Sequence, residues 1–272
     1  MPGRAFLAAS VQMRCTDDKR RNLERASDLV RAAAARGARL IVLPELFCWR
    51  GPPERQAAEA EPLDGPTIAR MGALARELKV VLVAGSILER DPDGRLPFNT
   101  SVVLAEDGSL LGRYRKIHLF DVEIGGAVSV RESERFAAGG EPVCVDTSVG
   151  RLGLSICYDL RFPELYRRLV EDGAELLCVP SAFTFTTGAA HWELLLRARA
   201  VENQCYVVAP NQTGPVEHGP NVYGHSAIVD PWGTVLACAP DGESIAVALV
   251  DPADQAAVRR QLPALAHRRL VS

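Results

Sequence analysis

Short apolar runs of β-type composition alternate with amphipathic stretches of helical period along the whole chain. Residues 6–13 read as a strand. Between residues 17 and 36, Leu23, Ala26, Leu29, Val30 and Ala33 recur at three- and four-residue intervals, which places them on one helix face. Residues 39–44 form a buried strand that must stop at Pro44, since proline has no N–H to give to a ladder. Residues 67–78 are helical and residues 80–85 form a second buried strand. Residues 99–105 and 109–115 make a hairpin around Glu106, Asp107 and Gly108. The second half repeats this order. Strands are expected at 151–157, 175–179 and 205–209, with helices at 163–172 and 190–203. Pro163 suits the first helical turn, where its missing N–H costs nothing. A hairpin of 224–229 with 234–238, a strand at 244–250 and a helix at 252–262 complete the pattern.

Helices lying between buried strands imply an α/β class built in layers. The late hairpins argue against a wholly parallel sheet and favour two mixed sheets packed face to face. Nothing in the chain resembles a linker, a charge block or a low-complexity tract, so residues 1–272 read as a single domain. Residues 120–142 are the longest stretch without clear period, and loops of that length in compact domains are often functional.

Composition narrows the function classes. Apolar residues make up 47%, charged residues 24%, and the net charge is −3. No basic stripe points to nucleic acid. No apolar run approaches the roughly 18 residues needed to span a membrane, and the N-terminal residues lack the pattern of a secretory signal. Seven scattered cysteines without a CxxC pair give neither a disulfide framework nor a structural zinc site. Free thiols point to a reducing, cytoplasmic compartment. The residues after Met13 contain no G-x-G-x-x-G turn, which excludes a dinucleotide cradle there. No cofactor or metal is expected.

Three segments share one format: an apolar strand ends and a reactive side chain follows at its exit. They are IVLPE ending at Glu45, LGRYRK ending at Lys116 and RLGLSIC ending at Cys157. Strand exits converge on one crevice in open α/β sheets, so these three can meet. Together they suit attack of sulfur on a carbonyl or nitrile carbon. A neighbouring lysine lowers a thiol pKa from its usual value near 8.5 and also donates to the developing oxyanion. Glu45 can take the thiol proton, protonate the departing amine, and then activate water against the thioester. The sharp step at Cys157 turns the Tyr158 backbone N–H into the site as a second oxyanion donor. Taken singly, each residue has an ordinary reading: a strand-end carboxylate, a surface lysine and a core cysteine.

LPELF at 43–47, YRKIHLFD at 114–121 and GLSICYDLRFPEL at 153–165 resemble the signatures of the nitrilase superfamily of carbon–nitrogen hydrolases. The resemblance continues through PSAFTFTTGAAHWELLLRARAVENQCYVV at 180–208 and YGHSAIVDPWGTVLA at 223–237. It implies an αββα sandwich of two mixed sheets flanked by helices. It also implies a Glu–Lys–Cys triad falling on Glu45, Lys116 and Cys157, with a lysine-orienting second glutamate matched by Glu132 in VRESERF rather than Glu134 or Glu123. Within the superfamily the chain is similar to the Nit branch, first to deaminated glutathione amidases and then to ω-amidases. The implied substrate is a small amide, deaminated glutathione, cleaved to 2-oxoglutarate and cysteinylglycine. An N-carbamoyl amino acid hydrolase or broader aliphatic amidase is the alternative. The resemblance also implies a homodimer or higher homo-oligomer. Two departures touch the pocket mouth: GGAVSV at 125–130 replaces a Pro-Gly turn, and Ala189 stands where proline is common.

Arg161, four residues past the nucleophile position, can hold a substrate carboxylate in a bidentate fork or be tied to Asp159 or Glu164. Phe183 can line the pocket or fill the core. His118 and His191 lack metal-ligand spacing and read as structural, and Asp159 reads as a local hydrogen-bonding residue. A non-catalytic scaffold would predict that one of the three reactive residues is missing or blocked; all three are present.

Overall fold

The computed structural model describes residues 4–125 and 128–270. Strand β1 (Phe6–Gln12) leads into helix α1 (Lys19–Ala35), and β2 (Ala38–Val42) into a loop carrying α2 (Gln56–Glu59) and α3 (Pro66–Leu78). Strands β3 (Val81–Val83), β4 (Ile87–Glu89), β5 (Phe98–Leu104) and β6 (Leu110–Arg115) follow. A small hairpin comes next, β7 (Asp121–Ile124) with β8 (Val128–Arg131). The second half contains β9 (Val143–Thr147), β10 (Gly150–Leu154), α4 (Pro163–Glu171), β11 (Leu176–Cys178) and α5 (Phe185–Asn203). Then come β12 (Tyr206–Ala209), β13 (Thr213–Gly214), β14 (Val222–Tyr223), β15 (Ala227–Val229), β16 (Val235–Cys238), β17 (Ser244–Val250) and α6 (Pro252–Gln261).

Local chemistry sets the helix starts. The Asp18 carboxylate accepts from the Arg21 N–H at 3.0 Å, which begins α1 at Lys19. The Thr184 hydroxyl caps α5, so that helix begins at Phe185, five residues before the apolar period at 190 suggested. Pro163 occupies the first turn of α4.

The strands form two mixed sheets, ordered β17-β1-β2-β3-β5-β4, with β6 added on β5, and β16-β15-β12-β11-β10-β9. Each has a parallel trio at its centre, β1-β2-β3 and β10-β11-β12, with antiparallel strands outside. The period-two pattern decides the layering. Ala8, Leu40, Val42, Val81 and Val83 of the first sheet pack with Leu152, Leu154, Leu176 and Val207 of the second. The alternate residues Ala9, Val11, Ile41 and Leu82 face outward onto Ala26, Val30, Met71 and Ala75 of α1 and α3. Leu165, Tyr166, Trp192 and Leu196 of α4 and α5 cover the other side of the second sheet. The result is the αββα sandwich. A one-residue slip of any central strand would turn its core side chains to the wrong layer, each worth roughly 1.5–3 kcal/mol of burial.

Besides the earlier start of α5 and the short elements α2, β4, β9, β13 and β14, which the sequence pattern did not foretell, two differences bear on the site. Residues 120–142 hold the β7–β8 hairpin and a 3₁₀ turn at Glu132–Glu134. Those strands are four residues long and mostly exposed or half-buried, too short for a visible period; residues 126 and 127, within the GGAVSV segment, lie outside the described residues. The strand expected to reach Cys157 stops at Leu154, and Cys157 opens a 3₁₀ turn, Cys157–Arg161. Among the described residues no helix is long and apolar enough to cross a membrane.

Candidate active site

The exits of β2, β6 and β10 meet at one end of the sandwich. The two sheets are tied together there by a bridge between Met13 and Gln212 and a hydrogen bond from the Thr213 N–H to the Met13 carbonyl at 3.1 Å. Glu45 lies three residues beyond β2. Its loop passes so close to Gly85 that a Cβ on that glycine would come within 1.9 Å of the Pro44 carbonyl oxygen, and Gly85 has φ 44°. Leu46 next to it also has a positive φ, 47°, and its N–H is held by the Ser86 hydroxyl at 2.9 Å. Cys157 itself sits at φ 49°. Left-handed backbone at Cys157 and at the residue after Glu45 is strain of the kind that concentrates at functional sites.

Lys116 follows β6 directly and is 1% exposed. Its ammonium bridges two carboxylates, with Nζ 3.0 Å from Glu45 Oε1 and 2.9 Å from Glu132 Oε2. Of the three acids near the hairpin, Glu132 is the one that meets the lysine, and its Oε2 also accepts from the Phe120 N–H at 2.8 Å. Glu134 lines the cavity and Glu123 is exposed. The Glu45 carboxylate is held on every side: Asn99 donates to Oε1 at 2.8 Å and the Ala182 N–H to Oε2 at 2.8 Å. Cys157 shares this environment, with Glu45, Lys116 and the Ala182 N–H all acting on its thiol.

These contacts set the protonation states. Burial raises the Cys157 thiol and the Glu45 charge raises it further, outweighing Lys116, so the thiol titrates well above its ordinary 9.0. A thiol lowered by its lysine neighbour is therefore not what forms; the pocket holds neutral SH beside an ionised carboxylate. Burial opposes the Glu45 charge, but Lys116 and the hydrogen bonds from Lys116, Cys157 and Asn99 prevail and hold its carboxyl below 4.5. Burial likewise opposes the Lys116 charge, while Glu132 and Glu45 carry it well above 10.5.

Above the cluster opens a cavity of about 580 Å³, with Glu45 and Cys157 on its wall. Tyr158, Arg161 and Phe183 also line it. Arg161 is tied to neither Asp159 nor Glu164. Its Nη1 lies 3.2 Å from His191 Nδ1, and the guanidinium stands over the Phe183 ring at 5.0 Å. Phe183 both lines the cavity and packs on Trp192, ring centres 5.1 Å apart. His118 stacks on Phe162 at 3.7 Å and binds Asp159 at 2.8 Å. Asp159 in turn accepts from the Tyr114 hydroxyl at 2.7 Å and the Ile156 N–H at 2.8 Å, bracing the turn that carries Cys157. Among the described residues no group of three or more His, Cys, Asp or Glu side chains is placed to hold a metal.

The carbon–nitrogen hydrolase model matches residues 7–260. The chain belongs to the carbon–nitrogen hydrolase family. It is therefore a hydrolase of carbon–nitrogen bonds other than peptide bonds. Similarity extends over whole relatives. A deaminated glutathione amidase of Synechocystis is 40% identical over 269 residues, covering 98% of this chain and 99% of the relative. An omega-amidase of Homo sapiens is 39% identical, covering 97% and 95%. The crystal structure of a nitrilase-superfamily member from Saccharomyces cerevisiae superposes with a TM-score of 0.90 at 36% identity, covering 99% of this chain and 98% of that one.

Sequence reasoning missed three side chains of the candidate site: Asn99, Gln212 and Arg50. Gln212 donates to the Glu45 backbone carbonyl at 2.7 Å and accepts from Arg50 at 3.1 Å. It follows a buried strand, β12, as Glu45, Lys116 and Cys157 follow theirs, so the strand-exit format was its available signal. Asn99 sits inside a strand and carried no signal.

The ion cluster gives this hydrolase a defined pH window for stability. A carboxyl lowered on folding contributes stability that is present above its unfolded value and lost as pH falls; for Glu45 the loss begins below 4.5. A raised lysine contributes below its unfolded value, and for Lys116 that loss starts only above 10.5. Thermal melting across pH is expected to show this contribution intact between those limits. A Glu45→Gln variant is expected to lose part of the acid-side decline; an unchanged decline in that variant would refute the assignment.

Proposed function

We propose that Cys157 is the nucleophile of an amidase that works through a thioester, and that its substrate is deaminated glutathione. The observation that carries this reading is the Lys116 ammonium clamped between Glu45 and Glu132 beside the Cys157 thiol on a cavity wall. The neutral thiol attacks the amide carbonyl carbon as Glu45 takes its proton. Lys116 and the Tyr158 backbone N–H donate to the oxyanion, an interaction typically worth roughly 3–4 kcal/mol for one well-placed donor. Glu45 returns the proton to the departing nitrogen, the C–N bond breaks, and cysteinylglycine leaves. Water then attacks the thioester while Glu45 takes its proton; the C–S bond breaks, 2-oxoglutarate leaves and the thiol is restored. Glu132 holds the lysine, and Arg161 and Phe183 meet the acyl chain, its carboxylate on the guanidinium.

The human relative's name supports a second reading, ω-amidase, in which 2-oxoglutaramate releases ammonia. Side-by-side kcat/KM on deaminated glutathione, 2-oxoglutaramate and an N-carbamoyl amino acid separates the readings. The first is expected to exceed the others by at least about 10-fold, a difference of about 1.4 kcal/mol in transition-state binding. Preference for 2-oxoglutaramate would favour the second reading. A mass increment on Cys157 equal to the acyl group, trapped with a slow substrate, tests the thioester.

A working thiol requires a reducing compartment, and we place the protein in the cytoplasm. Exposed apolar side chains Val201, Trp232, Leu236 and Leu249 lie together over α5, β16 and β17 and support a homodimer. Sedimentation of the purified protein tests it.

A further inference from the structure

The mechanism above does not use Arg50. This half-buried arginine lies on the cavity wall at the end of the loop that carries Glu45. Its Nη1 donates to Gln212 Oε1 at 3.1 Å and its Nη2 to the Pro220 carbonyl at 3.4 Å. Both acceptors are neutral, and no carboxylate pairs with this guanidinium among the described residues. Other arginines of the fold are neutralised: Arg115 by Glu89, Arg199 by Glu202 and Arg151 by Asp146. A guanidinium has five donors in a fixed fork, so Arg50 keeps N–H groups free after its two anchors. Burial takes water from this guanidinium, and Glu45 and Glu132 act on it only from a distance, so it has room for an anion in direct contact. Four arginines line the cavity, and none of them has a carboxylate within ion-pair distance among the described residues. Arg131 and Arg135 come from the end of the hairpin region, whereas Arg50 and Arg161 belong to the segments of Glu45 and Cys157, Arg161 being held against His191 and Phe183.

The two arginines occupy different walls. Arg161 belongs to the same 3₁₀ turn as Cys157, the residue that would carry the acyl group. Arg50 is linked through Gln212 to the backbone of Glu45, the residue that would hand a proton to the departing nitrogen. The amine half of the amide must therefore extend toward the Glu45 wall.

We propose that Arg50 is a specificity-determining residue that binds a carboxylate on the leaving amine, so that the site selects amides with an acid group on both sides of the scissile bond. This rests on the thioester mechanism and substrate class proposed above. The leaving group it favours is a short peptide with a free C-terminus.

The experiment uses three amides sharing one 2-oxoglutaryl acyl group, whose leaving groups are cysteinylglycine, cysteinylglycine amide and ammonia. In the wild type, blocking the terminal carboxylate as its amide is expected to lower kcat/KM about 30-fold, the scale of one charge-assisted pair, mainly through KM. Arg50→Gln is expected to bring the ratio of the first two substrates close to one. Arg50→Lys, which keeps charge but not the fork, is expected to fall between. Since the readout is a ratio within each protein, a general loss of activity does not imitate it, and the wild-type ratio stands even if a variant folds poorly. Equal rates on the first two substrates in the wild type, or a ratio retained by Arg50→Gln, would overturn the proposal. Turnover of none of the three would remove the substrate reading itself and this inference with it. Failure of the Arg50 inference alone leaves turnover of the three amides intact.

Discussion

Cys157→Ala is expected to abolish amide hydrolysis, with a loss of about 10⁴-fold or more, while the protein stays folded. In the proposed mechanism the sulfur forms the bond that replaces C–N, and among the described residues no second thiol stands beside Glu45 and Lys116. The thiol faces a cavity and is 8% exposed, so removing it opens little new void and should change stability by no more than about 1 kcal/mol. The left-handed backbone at this position is kept, because alanine bears the same Cβ. Amine release and thermal melting measured on one preparation check both halves. Residual activity within 10-fold of wild type would be incompatible with sulfur as the attacking atom.

Lys116→Met is expected to have the largest effect on stability. It removes the cation that touches both Glu45 and Glu132 while leaving both carboxylates in place. Removing one partner of a buried ion pair typically costs about 3–5 kcal/mol, because the remaining charge is left uncompensated. Methionine fills much of the lysine's volume, so lost packing contributes little. The pH dependence separates this account from a general disruption. Without the lysine, buried Glu45 faces the Glu132 charge with no cation between them, and the Glu45 carboxyl rises. A carboxyl raised on folding makes the folded state bind more protons, so the variant should gain stability as pH is lowered from about 7 toward about 5. The wild type, whose Glu45 is held low, should show no such gain. Adding Glu132→Gln to the variant should recover part of the loss. Denaturant titrations at both pH values measure this. A Lys116→Met protein that loses less than about 1 kcal/mol and ignores pH would show that the ion cluster is not what the buried lysine stabilises.

Much of the architecture can be read from the chain because it depends on local rules. The period of α1 and the alternation along β1 and β2 are properties of neighbouring residues. The capping carboxylate of Asp18 and the proline at the start of α4 act within one helical turn. The strand expected at 244–250 is the strand observed. The short hairpin β7–β8 was not legible, since four residues with half-exposed sides carry no period. The first turn of α5, Phe185 to Gly188, carries no regular apolar spacing, so its start is set by the Thr184 cap and not by a visible period.

For the candidate site, the chain's motifs singled out Glu45, Lys116, Cys157 and Glu132, and the structure brings these four together, but their arrangement was not legible. The contact between Glu45 and the Ala182 N–H joins residues 137 positions apart, and Gln212 reaches Glu45 across 167. Such pairs exist only once two sheets have packed and their strand exits share one end. The protonation of the thiol is of the same kind. A lysine near a cysteine suggests a lowered pKa, but the net direction depends on how deeply the sulfur is buried and on a carboxylate brought from another strand. The place of Arg50 on the cavity wall, with no carboxylate in direct contact among the described residues, is likewise a tertiary fact. Periodicity and caps are short-range and survive in one dimension; electrostatic balance and cavity walls are sums over distant neighbours, and folding alone makes them neighbours.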